Sequence, residues 1–391
     1  MNRTRWLYLV VAVLCVAGLL ASGCAEPAPA PAPVPAPTPP AEEEEEWVPP
    51  IPGMKKGEED LYLEWTWATP TNRAKPPAGY ELTADEWFFK EIEERAKGHL
   101  KVKISYGEMG TALEIPKLIT AGVVEGGFTT PTYYPIELPL CNVLWMPFFS
   151  LEDWAKNMRL WDYALRHPLV QANYAKQNQV FGYMFNGTWD YDLYIRKGVP
   201  KITKVEDFKG LTARSYGYYN VFWQELEVGP VFVTAFESYE AMQKGMIDLC
   251  HLGLESVVNW HLWEVSDRII DTAITATGTL YAVNMDVWND TPQYIRDIWN
   301  EVHPLGQEYS LELGLTRLEE VKQFMQEKGI EHYRLSPEED AKFRAAAKPA
   351  FEKWVADVEQ QENGKPIREY LKDVIAYRDK LSGEPWTVYT P

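Results

Sequence analysis

Basic residues are scarce in this 391-residue chain: 38 Lys and Arg stand against 57 Asp and Glu, a formal net charge of −19. No Lys/Arg cluster interleaved with aromatics occurs, so the chain has no electrostatic footprint for nucleic acid. There are only four cysteines and six histidines. His99, His251, His261 and His303 show no metal-ligand spacing, and for His251 and His261 a surface or capping role outweighs metal binding. Also missing are a GxSxG nucleophile elbow, an HExxH zinc motif, a Walker phosphate loop and a GxGxxG turn after a strand. Asp190 and Asp192 have the chemistry of an acid/base pair, but on a strand they share one face and are expected to solvate it. No catalytic residue, cofactor or metal is therefore expected, and an enzyme reading has no positive support.

What is present begins at the first residues. Arg3 and Arg5 precede an apolar run over 7–21, too short for a comfortable membrane span, and small residues lead to Cys24, the layout of a secretory signal. Leu20-Ala21-Ser22-Gly23-Cys24 looks like a lipobox, with Ala21 where an aliphatic residue is usual. The expectation is a signal peptide over 1–23 and a lipid on Cys24; the competing reading is ordinary cleavage beside an incidental cysteine. Pro/Ala repeats and the run Glu42 to Glu46 follow. Such a composition cannot bury a core and favours an extended, self-repelling stalk, so 24–60 is assigned to the lipidated cysteine and its linker. The protein is thus placed at the periplasmic or extracellular face of a membrane, held by its lipid. Cys15 leaves with the signal. Cys141 and Cys250 fall in segments expected in different lobes and are read as free buried thiols rather than a disulfide.

The body, from about residue 61, exceeds 300 residues and is long enough for two domains. Residues 61–69 alternate as an opening strand. Thr83-Ala84-Asp85-Glu86 is a capping box for a helix through Ala96 that Gly98 stops. Leu100, Val102 and Ile104 mark a second strand, 114–121 a helix, and Phe128 the start of a third strand. Further strands are read at 181–185, 191–195, 211–215, 231–234 and 246–249. Helices are read at 220–226 and 237–244, and a second capping box at Thr203-Lys204-Val205-Glu206. From about Thr291 the chain is mostly helical, with Trp354 as an anchor. Strands alternating with helices imply an α/β body with largely parallel sheets. With no repeat and no long linker between halves, the lobes are expected to be joined by crossing strands and helices, with a ligand cleft between them.

The order of segments over 65–354 resembles the solute-binding subunits of TRAP transporters, the tripartite ATP-independent periplasmic systems, of the DctP type. Ile104-Ser105-Tyr106-Gly107-Glu108-Met109-Gly110, then Glu114 and Ala121-Gly122-Val123-Val124-Glu125, is similar to the family's strand, glycine turn and helix. Tyr133-Tyr134, Leu138-Pro139-Leu140 and Met146-Pro147-Phe148 match its "yy…lP…lPf" segment. Val205-Glu206-Asp207-Phe208-Lys209-Gly210-Leu211-Thr212-Ala213-Arg214 is close to "peDlkGlkiR". Glu237, Tyr239, Ala241, Met242, Gln243, Gly245 and Asp248 match "EvYtALQxGvvD", and Glu264-Val265 follows at the family's spacing.

The resemblance implies a type II periplasmic-binding-protein fold, an α/β body of two lobes that close about a hinge over an interlobe ligand cleft. Lobe I is assigned 61–187 plus 278–317 and lobe II 188–277 plus 318–385. It also implies that Arg214 forms a salt bridge to a carboxylate on a small organic acid, which is passed to TRAP membrane subunits. A planar guanidinium suits that task because it offers two parallel N–H donors. Leu252 replaces the family's asparagine, and Thr188, Trp189 and Asp190 stand where its first arginine falls, which argues for a ligand with a single negative charge. Trp67, Tyr133, Trp189, Tyr216 and Tyr218 lie at segment ends where rings can line the cleft, and Glu255 is placed to bind a hydroxyl. Two other classes compete: a receptor presenting ligand to a sensor protein, and a lipid-anchored enzyme on the same scaffold.

Overall fold

The computed structural model describes residues 47–185, 190–276, 278–361 and 367–389. The signal segment, Cys24, most of the stalk and Trp189 lie outside the described residues. Ile51 and Met54, within the stretch assigned to the linker, are buried against Trp65 and Tyr294, so the packed body starts before residue 61.

The first sheet begins with β1 (Leu63–Thr69), which pairs in parallel with β2 (Leu100–Tyr106) and with β3 (Gly126–Thr129). The helix Ala84–Arg95 connects β1 to β2 and starts at the expected capping box. Thr83 Oγ1 accepts the Glu86 N–H at 3.3 Å while the Glu86 carboxylate accepts the Thr83 N–H at 2.9 Å. The chain then forms β4 (Gln179–Phe185), the far edge of this sheet, and crosses to the second sheet as β5 (Asp190–Arg196). There it continues through β6 (Thr212–Ser215), β7 (Gly229–Phe232), β8 (Leu249–Gly253) and β9 (Ser266–Ala276). It returns to the first sheet as β10 (Thr279–Asn284) and finally adds β11 (Glu331–Tyr333) to the second. The strand orders are β2-β1-β3-β10-β4 and β11-β9-β5-β8-β6-β7.

Both sheets are mixed rather than largely parallel. β10 runs antiparallel to β3 and β4, and β5 antiparallel to β8 and β9. Parallel neighbours require a long crossover over their own sheet, and these two strands arrive from the other sheet without one. The C-terminal part is helical as expected, in Gln293–Lys328, Pro337–Ala345, Lys348–Gln361 and Ile367–Ser382, except for the short β11. Trp354 is fully buried and donates its indole N–H to the Pro139 carbonyl at 2.9 Å. β8 starts at Leu249 rather than 246 because Gly245, in the left-handed region at φ 69°, turns the chain out of the helix Ser238–Gln243 first. The second capping carboxylate is Asp207 rather than Glu206: it accepts the backbone N–H groups of Thr203 and Lys204 at 2.9 and 3.2 Å.

Two apolar clusters support the sheets. One lies between the first sheet and the helices Ala84–Arg95 and Gln293–Lys328, and contains Trp67, Phe88, Phe89, Tyr183, Tyr281 and Trp299. The larger one runs from the first sheet through the second to the C-terminal helices.

Candidate ligand site

Arg214 lies near the end of β6, between β7 and β8, with 2% of its surface exposed. Its guanidinium donates from Nε to the Val233 carbonyl at 3.1 Å, from Nη1 to the His251 carbonyl at 3.0 Å and from Nη2 to the Tyr133 hydroxyl at 3.1 Å. It also lies over the Tyr216 ring at 4.5 Å, and Trp223 secures the strand by donating its indole N–H to the Arg214 carbonyl at 3.1 Å. Among the described residues no carboxylate pairs with it. Withdrawing such a charge from water costs several kcal/mol, and neutral oxygens offset that only in part.

Tyr133 reaches this place from the other sheet. It ends the turn Pro131–Tyr133, which follows β3, and its ring stands edge-on to Tyr216 at 5.9 Å and to Phe232 at 6.0 Å. The hydroxyl oxygen accepts a second hydrogen bond, from the backbone N–H of Ala235 at 3.1 Å. Close by, Gly217 lets β6 run on against the turn: at φ 49°, a Cβ there would meet Thr132 Oγ1 at 2.9 Å.

Behind the guanidinium stands His251, fully buried rather than at the surface. Its ring stacks on Tyr219 at 4.3 Å and lies 5.0 Å from Tyr216, and neither ring nitrogen has a hydrogen-bond partner among the described residues. Burial first, and the Arg214 charge second, hold its pKa well below the ordinary histidine value, so it is neutral. The assembly can hold an anion against aromatic faces. It offers no obvious proton transfer, because a guanidinium does not give up its proton in a protein.

Arg214, Tyr133 and Tyr216 are thus brought together. Trp67 is not among them: fully buried in the first sheet's core, it stacks on Tyr183 at 5.4 Å and meets Phe89 edge-on at 5.0 Å. Its place at the end of a strand resembles that of a cleft residue, yet the helix Ala84–Arg95 covers it. Tyr218 turns away and donates to Asp357 at 3.4 Å. Glu255 is buried just beyond β8, near Tyr194. Sequence reasoning missed Ala235, whose contribution is a backbone N–H and leaves no mark in the residue type. The buried place of His251 also carried no signal. Cys141 and Cys250 are free and buried, as expected; burial pushes their thiols up to about 12 and about 11.

Two further polar groups lie outside this site. Asp85, half-buried at the start of the helix Ala84–Arg95, accepts hydroxyl hydrogen bonds from Tyr281 at 2.6 Å and Tyr183 at 3.2 Å. Burial raises its pKa to about 6 against the lowering effect of those donors. Asp192 does not solvate a strand face. β5 is an interior strand of its sheet, and the carboxylate is buried, accepting the Thr272 N–H at 3.1 Å and facing His332 Nε2 at 3.0 Å. With Asp271 these residues place three potential metal-ligand atoms within 4.8 Å of one another. Arg334 already sits on Asp271 at 2.6 Å, and this group reads as a clip for the edge strand β11.

Two mixed sheets exchanging strands, with a buried guanidinium where elements of both meet, define a two-lobed α/β solute-binding protein of type II. The sequence matches the family of bacterial extracellular solute-binding proteins, family 7, known as DctP, over residues 74–357, and the chain belongs to that family. An uncharacterized Haemophilus influenzae protein is 21% identical over 253 residues, covering 64% of this chain and 75% of that protein. Among solved structures, the Bordetella pertussis extracytoplasmic solute receptor DctP7, which binds pyroglutamic acid, superposes with a TM-score of 0.65 at 18% identity, covering 77% of this chain and 98% of that one. A Roseobacter denitrificans TRAP periplasmic solute-binding protein with bound β-D-glucuronate gives 0.67 at 17% identity, covering 78% and 98%. A Desulfovibrio salexigens TRAP protein with bound orotic acid gives 0.67 at 15% identity, covering 82% and 99%.

Proposed function

We propose that this protein captures a small organic acid carrying one carboxylate and delivers it to the membrane subunits of a TRAP transporter for ion-coupled uptake. One observation carries the reading: Arg214 is buried, charged and without a carboxylate partner among the described residues, at a point where groups from both sheets converge. A ligand carboxylate would supply the missing charge, and water excluded by the surrounding rings would strengthen the pair. Membership of an extracellular solute-binding family supports capture outside the cytoplasm. The ligands of the similar receptors, pyroglutamate, glucuronate and orotate, each carry a single carboxyl group.

In this reading 61–187 plus 278–317 form lobe I and 188–277 plus 318–385 form lobe II. A lipid on Cys24 and the stalk behind it keep the body at the membrane surface, where the transporter subunits lie. Trp189, Glu255 and the Tyr216 ring add shape and hydroxyl recognition around the carboxylate. Mass spectrometry of small molecules released by denaturing the purified protein tests the class of ligand. A stoichiometric monocarboxylic acid is expected, and a stoichiometric ligand without a carboxylate would remove the reading.

A further inference from the structure

The Tyr133 hydroxyl oxygen receives two hydrogen bonds from different elements, one from a charged guanidinium on β6 and one from the main chain after β7, each at 3.1 Å. Among the described residues the Ala235 N–H makes no other hydrogen bond, and Nη2 of Arg214 is likewise aimed at this oxygen alone. Two donors, one of them positively charged, converging on a single oxygen form a better receptacle for a carboxylate than for a neutral phenol, because an anionic oxygen adds a direct Coulombic attraction to the buried guanidinium that the phenol lacks. The phenol is an inferior occupant that nonetheless keeps both donors partnered.

Resting on the carboxylate reading above, we propose that one ligand carboxylate oxygen binds between Arg214 Nη2 and the backbone N–H of Ala235, displacing the Tyr133 hydroxyl that marks its position. Ala235 is then a ligand-binding residue through its main chain. Tyr133 is a built-in competitor that sets the affinity threshold and ties the two sheets together until a stronger acceptor arrives. Apparent affinity is reduced by the fraction of protein in which the phenol holds the donors, so removing the hydroxyl strengthens binding.

The local geometry allows a clean test. Thr234 is extended at φ −67° and ψ 161°, the conformation required before proline, and Ala235 opens the turn Ala235–Glu237, a first position that proline favours. Ala235→Pro therefore removes the N–H with little change of backbone, and a melting curve checks that the variant folds. Calorimetric titrations of the full chain with pyroglutamate, D-glucuronate and orotate are compared for wild type, Ala235→Pro and Tyr133→Phe. For whichever acid binds, Ala235→Pro is expected to weaken binding about tenfold and Tyr133→Phe to tighten it about threefold or more. In the ligand-free protein, Tyr133→Phe should speed hydrogen exchange at the Ala235 amide, and the bound acid should restore its protection. Weaker binding in Tyr133→Phe would mean that the phenol helps to hold the ligand and would overturn the displacement, as would unchanged affinity in Ala235→Pro or unchanged amide exchange. No heat with any of the three acids would instead overturn the carboxylate reading and this proposal with it. That outcome is distinct from heat that neither variant alters, which would sink the displacement alone.

Discussion

At the scale of single residues, three ionisable groups withdrawn from water are held in different ways. Arg214 is held by neutral oxygens and rings, Asp192 by backbone N–H groups and a histidine, and Asp85 by two tyrosine hydroxyls. Asp85 has a measurable consequence. Its pKa rises from 3.8 to about 6 on folding, chiefly through burial. Below pH 3.8 the carboxyl is protonated in both folded and unfolded chains and exerts no pH effect. As pH climbs towards 6 the unfolded chain ionises first, so stability falls, and above 6 the loss is constant. Glu86, Tyr106, Tyr183 and Tyr281 all face this group. Against the raising effect of burial, the hydrogen bond from Arg73 helps to lower the pKa of Glu86 on folding, so its own pH effect has the opposite sign, and the difference between wild type and an Asp85 variant isolates Asp85. Asp85→Asn should therefore melt higher than wild type at pH 8, with the difference shrinking as pH falls to 4. A difference that does not depend on pH would contradict the assignment.

At the scale of elements, the close fit of β1 to β3 depends on two adjacent glycines, Gly126 and Gly127, opposite Trp67 and Ala68. A Cβ at Gly126 would come within 2.0 Å of the Trp67 ring, which is fully buried between Tyr183, Phe89 and Trp299 and has nowhere to move. Gly126→Ala should destabilise the protein by about 1–3 kcal/mol or more in denaturant unfolding, as overpacking of a filled core does. An unchanged midpoint would show that the strands can spread. Elements with local signatures were legible in the sequence: the capping box at Thr83, the alternation in β2 and the helical C-terminal part all stand where residue pattern put them. The antiparallel insertion of β5 and β10 was not, because strand direction depends on which sheet the chain has just left. β11 is three residues long and depends on the His332 contact to Asp192, which no local pattern encodes.

At the scale of the whole molecule, elements of the two sheets meet around a charge that no carboxylate among the described residues neutralises. The family motif identified the arginine, and the strand-end position of Tyr133 and Tyr216 made them candidates. The same criterion also chose Trp67 and Tyr218 for the cleft; Trp67 stacks on Tyr183 and Tyr218 donates to Asp357, contacts that a segment end does not reveal. Capture of an organic acid by this protein requires that Arg214 hold the ligand. The most direct measurement is calorimetric titration of wild type and Arg214→Gln with the acid recovered from the purified protein. Removing the charge should cost about 2–5 kcal/mol of binding energy while the variant still folds. Equal affinity in the two proteins would contradict the account.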